Sequence, residues 1–139
     1  MTVLLLRPLP RLENSVSAFV NAGIEAVGLA THDIRFDTEQ LNALKQALYL
    51  SQTGTLLVTS QFAAKAINGC DQQLLAGFDA LAIGQSSARE LPAGLSVTLP
   101  AQSSSEGLID YIQHHKVELP LLLCKGYGGR DAIAQWCNQ

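Results

Sequence analysis

Short apolar runs alternate with amphipathic stretches along the whole chain. The runs fall at residues 3–6, 25–30, 55–59, 79–83, 95–99 and 119–124. Continuous apolar runs of this length read as strands buried on both faces rather than as half-exposed strands, which would alternate. Between them, apolar residues return at helical spacing: Leu12, Val16, Phe19 and Val20, then Leu41, Leu44 and Leu48, then Phe62, Ala66 and Ile67. Later stretches carry Leu108, Ile109 and Ile112, and finally Ile133, Ala134 and Trp136. The alternation predicts an α/β fold, with parallel sheets in flavodoxin-like lobes and helices on both faces.

The breaks between runs agree with that reading. Pro8 and Pro10 shape a turn after the first strand, and Gly23 is placed to end the first helix. Residues 31–36 stay extended in character, as a crossover would, and Asp37 or Thr38 can cap the helix that follows. Asn68-Gly69 breaks the third helix, Leu74 and Leu75 fit a further turn, and Pro92 with Gly94 closes the helix that starts at Gln85. Ser103 with Glu106 matches a capping box.

The sixth run stops in the loop Lys125-Gly126-Tyr127-Gly128-Gly129-Arg130, and a helical pattern resumes at Asp131. Glycines let backbone amides approach a ligand closely, and a helix start adds partial positive charge. Flanked by Lys125 and Arg130, such a loop is a seat for a carboxylate or phosphate; an ordinary strand-to-helix turn is the plainer reading. Composition makes any anion site local. A net charge of −3 with nine Lys and Arg gives no basic stripe, which argues against a nucleic-acid partner. The three cysteines are odd in number and widely spaced, suggesting free thiols in a reducing cytoplasm rather than disulfides or zinc. The N-terminal apolar run is too short for a membrane span.

Parallel α/β sheets bind ligands beyond the carboxyl ends of their strands. The loops expected there carry Arg7-Pro8, Thr59-Ser60-Gln61-Phe62, Gly84-Gln85-Ser86-Ser87, Ser103-Ser104-Ser105 and residues 125–130. Hydroxyls, amides and a few cations dominate and carboxylates are nearly absent, which suits a polar anion. Taken singly, Ser60, Ser87 and Ser104 read as helix caps, and His114-His115 as a surface pair at a helix end. Neither a dinucleotide fingerprint, a P-loop nor a nucleophile elbow is present.

Together these loops resemble uroporphyrinogen-III synthase. The resemblance is carried in order by Val3-Leu4-Leu5-Leu6-Arg7-Pro8, Leu57-Val58-Thr59-Ser60-Gln61-Phe62-Ala63, Ala82-Ile83-Gly84-Gln85-Ser86-Ser87-Ala88, Ser105-Glu106-Gly107-Leu108 and residues 122–130. It implies a cofactor-free lyase of heme and siroheme biosynthesis, which dehydrates and cyclises hydroxymethylbilane to uroporphyrinogen III with inversion of the terminal pyrrole ring. By position it also implies that Arg7, Thr59, Ser60, Gln61, Phe62, Ser86, Ser87, Ser105, Lys125, Gly126, Tyr127, Gly128 and Arg130 contact substrate. Amides around Phe62, Ser87 and Gly128 would hold acetate or propionate groups, and Ser87 would be the leading side-chain contact. No residue stands out as the acid or base.

The family's two lobes are joined by paired crossovers. The resemblance therefore makes residues 1–32 the opening of lobe one and residues 33–139 most of lobe two, with the family's return to lobe one not reached. A monomer is expected of the full family chain, and self-association of this shorter one is an open alternative, as is a non-catalytic anion- or tetrapyrrole-binding module or an inactive fragment. A receiver-type module is disfavoured, since Arg7-Pro8 and Thr59 stand where it needs acidic residues. Pro8-Leu9-Pro10 likewise offers no flavin phosphate loop.

Overall fold

The computed structural model describes residues 1–128 and 130–139 and divides into two compact units, Met1–Asp37 and Thr38–Gln139. The first is a β-α-β unit of β1 (Val3–Arg7), α1 (Leu9–Asn21) and β2 (Ala26–Ala30), with the strands parallel and Leu4 beside Val27, Leu6 beside Leu29. α1 presses onto one face so closely that a Cβ on Gly28 would stand 2.7 Å from Leu12 Cδ1. Pro10 does not belong to a turn, as expected from sequence, but to the first turn of α1, where its missing N–H is not needed. Gly23 takes φ +77° just past the helix end.

The second unit runs α2 (Thr38–Ser51), β3 (Gly54–Val58), α3 (Gln61–Asn68), α4 (Gln72–Leu75), β4 (Phe78–Ala82), α5 (Gln85–Ala88), β5 (Ser96–Thr98), α6 (Ser105–His114), β6 (Leu121–Cys124) and α7 (Ala132–Cys137). Its four strands form one parallel sheet in the order β5-β4-β3-β6. Every residue of the central strand β3 is buried, which is why it reads as an unbroken apolar run.

Alternation along the strands sends side chains to two separate cores. Leu56, Val58, Ala80 and Ala82 face one way, against Leu48 of α2 and Ala64 and Ile67 of α3. Leu57 and Leu81 face the other way, against Leu108 of α6 and Ile133 of α7. The α/β architecture with helices on both faces of a parallel sheet is thus the one expected. Among the described residues, no helix is long and apolar enough to cross a membrane.

Candidate functional site

The strand order fixes where a ligand can enter. From β3 the chain passes through α3 to β4 on one side, and later returns as β6 on the other side of β3. The helix after β3 packs on one face of the sheet, whereas α7, which follows β6, packs on the opposite face. Two loops leaving adjacent strands in opposite directions open a crevice at the carboxyl edge, and doubly wound folds place their ligands at such a switch point.

A cleft of about 270 Å³ lies there. Thr59 and Ser60 line it from the β3 side, Lys125, Gly126 and Tyr127 from the β6 side, and Ser105 and Arg130 complete the polar wall. Ile83, Leu123 and Ile133 form the apolar remainder.

Local structure accounts for these positions. Ser60 adopts extended backbone as the N-cap of α3, and its Oγ accepts from the Ala63 amide at 3.0 Å. Thr59 continues the β3–β6 ladder: its amide donates to the Cys124 carbonyl at 3.1 Å, and its hydroxyl donates to the same oxygen at 3.3 Å. The cap of α6 is Ser104, not Ser103. Ser104 takes extended backbone and its Oγ accepts from the Gly107 amide at 3.0 Å, so the expected box with Glu106 is displaced by one residue. That register turns Ser105 inward to the cleft, where it is buried.

Among the described residues the cleft lining itself holds no carboxylate, as expected, but both of its cations are paired with carboxylates just outside it. Arg130 Nη2 donates to Glu106 Oε1 at 2.5 Å, and Lys125 Nζ pairs with Asp131. Both carboxylates belong to helix starts, Glu106 in the first turn of α6 and Asp131 as the N-cap of α7. Glu106 titrates below the usual carboxylate range because of its own backbone amide first, then the Arg130 guanidinium. Both cations of the expected anion seat therefore already have partners.

The remaining expected residues are spread more widely. Gln61 and Phe62 occupy the first turn of α3, and the Lys65 ammonium sits 5.6 Å from the Phe62 ring centre. Gly84, not a serine, caps α5; Ser86 is exposed, and Ser87 is buried at 1% exposure within that helix, outside the cleft lining. Gly128 takes φ +72° in the β6–α7 loop, and Gly129 lies outside the described residues. Arg7 ends β1 in the first unit. The sequence reading passed over Glu106 and Asp131 as charged partners and Ile83 as a wall of the cleft.

Residues 14–136, most of the chain, match the uroporphyrinogen-III synthase HemD family. The chain belongs to the uroporphyrinogen-III synthase family. No individual protein of curated function matches it closely. The family's substrate class is a tetrapyrrole, and the parallel α/β architecture seen here agrees with the family's fold.

Proposed function

We propose that this chain performs the uroporphyrinogen-III synthase reaction, converting hydroxymethylbilane to uroporphyrinogen III and water. The hydroxyl of the linear substrate leaves as water, and ring closure joins the freed carbon to the terminal pyrrole, whose orientation is inverted through a spiro intermediate. The observation that carries this reading is the β3–β6 cleft, whose polar lining brings together Lys125, Arg130, Thr59, Ser60 and Ser105. At about 270 Å³ the cleft is smaller than sites that enclose a whole drug-sized ligand. It suits one substituted pyrrole end, with its acetate and propionate groups against the cations.

On this reading Arg130 and Lys125 bind carboxylates, the hydroxyls of Ser60 and Ser105 and the loop at Gly126, Tyr127 and Gly128 add polar contacts, and Gln61 and Phe62 offer first-turn amides. Arg7, Ser86 and Ser87 would contact other parts of the substrate. Holding the flexible chain with its reactive carbon beside the terminal ring supplies much of the catalysis, since the closure is intramolecular. Residues 1–32 then open one lobe and residues 33–139 form most of the other, close to the division between the two compact units at Asp37 and Thr38. Three free cysteines suit a reducing, cytoplasmic setting.

A second reading keeps tetrapyrrole binding without turnover, and the pairing of both cleft cations favours it. A coupled assay separates the two: hydroxymethylbilane is supplied to the full chain, and isomer III is resolved from spontaneous isomer I against a buffer blank. Isomer III above the blank is the expected result. Isomer I alone, with a polycarboxylated porphyrin still bound, would leave the binding module in its place.

A further inference from the structure

Arg130 and Lys125 are the cations that line the β3–β6 cleft, yet the carboxylates that hold them lie outside its lining. The two pairs differ in kind. Lys125 and Asp131 belong to one loop, whereas Arg130 and Glu106 tie the β6–α7 loop to the first turn of α6. Glu106 faces a separate groove along α6, beside Asp110 and Tyr111. Both members of the Arg130–Glu106 pair remain largely in solvent, with side chains 70% and 57% exposed. Such a pair exchanges partners readily, because water and ions screen it. Space is open beside the described glycines of that loop: a Cβ on Gly126 or Gly128 would meet nothing within 4 Å.

We propose that Glu106 is a positioning residue that stands in for a substrate carboxylate, holding Arg130 against α6 until an anionic group in the cleft replaces it. This rests on the reading of the cleft as the tetrapyrrole site. Exchange rather than capture then governs binding: Arg130 gives up the Glu106 carboxylate as it takes one from the ligand. A carboxylate of the protein and one of the substrate would both draw on the same guanidinium, of which Glu106 takes Nη2.

The test is a double-mutant cycle on the full chain, with Glu106→Gln, Arg130→Gln and the double variant, plus Asp110→Asn as a control for charge alone. Circular dichroism checks that each is folded. The probe is uroporphyrin III, a stable polycarboxylate, titrated by its own fluorescence; turnover of hydroxymethylbilane gives KM and kcat in parallel. Glu106→Gln is expected to bind about twofold to fivefold tighter, the range over which exposed ion pairs contribute. KM falls with kcat unchanged, since the interaction gained is the same in ground and transition states. In the Arg130→Gln background the gain disappears, and Asp110→Asn does not reproduce it.

Unchanged affinity in Glu106→Gln, or a gain that survives loss of Arg130, would overturn the proposal while leaving the site reading intact. If neither the unaltered chain nor any variant binds the probe, both fall together.

Discussion

Replacing Gly107 with alanine tests how the wall of the cleft is built. Gly107 is the third residue of α6, and a Cβ there would stand 2.0 Å from the Gln102 carbonyl oxygen and 2.9 Å from its carbon. Ordinary contact begins near 3.4 Å, so helix and loop must part by about 1.4 Å, and the obstacle is backbone rather than a movable side-chain end. Two effects oppose each other. Alanine gains about 1 kcal/mol of helix propensity over glycine, whereas overpacking a tight contact costs about 1–3 kcal/mol and more where backbone must shift.

Because the clash is with a carbonyl in the segment that leads into the cap Ser104, the steric cost wins by about 2 kcal/mol. In urea that moves the midpoint down by roughly 1 M for a domain of this size. The chain's single tryptophan, Trp136 on α7, reports the transition from the helix packed beside α6. Gly94→Ala serves as the control, since a Cβ there meets nothing within 4 Å. If Gly107→Ala unfolds at the same urea concentration as Gly94→Ala, or later, the close seating of α6 on the Gln102 carbonyl is refuted.

Ser60→Ala removes the α3 cap and should cost about 1 kcal/mol, with faster hydrogen exchange at the Ala63 amide; an amide as protected as before would refute the cap. Burial pushes the Cys124 thiol up to about 12 and also raises Cys70, while Cys137 is exposed. Iodoacetamide near pH 8 should therefore label Cys137 first, and rapid labelling of Cys124 in the folded chain would contradict its placement. The same shift has a sign for stability. The unfolded Cys124 thiol ionises near 9.0 and the folded one near 12, so its contribution is full below pH 9 and is lost as pH rises toward 12. Urea midpoints between pH 8 and 10.5 should fall less steeply in Cys124→Ala, and identical slopes would argue against it.

The central strand was legible because a parallel strand covered on both faces needs an unbroken apolar run, and β3 is buried at every residue. β1 and β2 carry similar runs, but within their own unit Leu4, Leu6, Val27 and Leu29 are exposed, contrary to the expectation of burial on both faces. The order of the strands was not legible. Hydrophobic periodicity says which face a residue takes but carries no information on which strand pairs with which, so nothing local announced that β6 would lie beside β3. Three consecutive serines, Ser103, Ser104 and Ser105, offer the same chemistry in sequence, and only backbone dihedrals decide that the second caps α6 and the third turns inward. Ser60 and Ser87 stood equally at expected junctions, yet one lines the cleft and the other is buried in α5. The partner of Arg130 sits 24 residues away on another element, beyond any local pattern.

That distant pairing changes what the site can select. In a chain of net charge −3, two cleft cations already matched by Glu106 and Asp131 give no net attraction for an anion at long range. A lone carboxylate would gain little by displacing one of the protein's own, because it trades one exposed ion pair for another. A ligand carrying several carboxylates on a short frame is different: once the first exchange has occurred, the second is intramolecular and proceeds at a high effective concentration. On the proposed reading of the cleft, the paired cations thereby favour a polycarboxylate over a lone carboxylate, since only the former makes its second exchange intramolecularly.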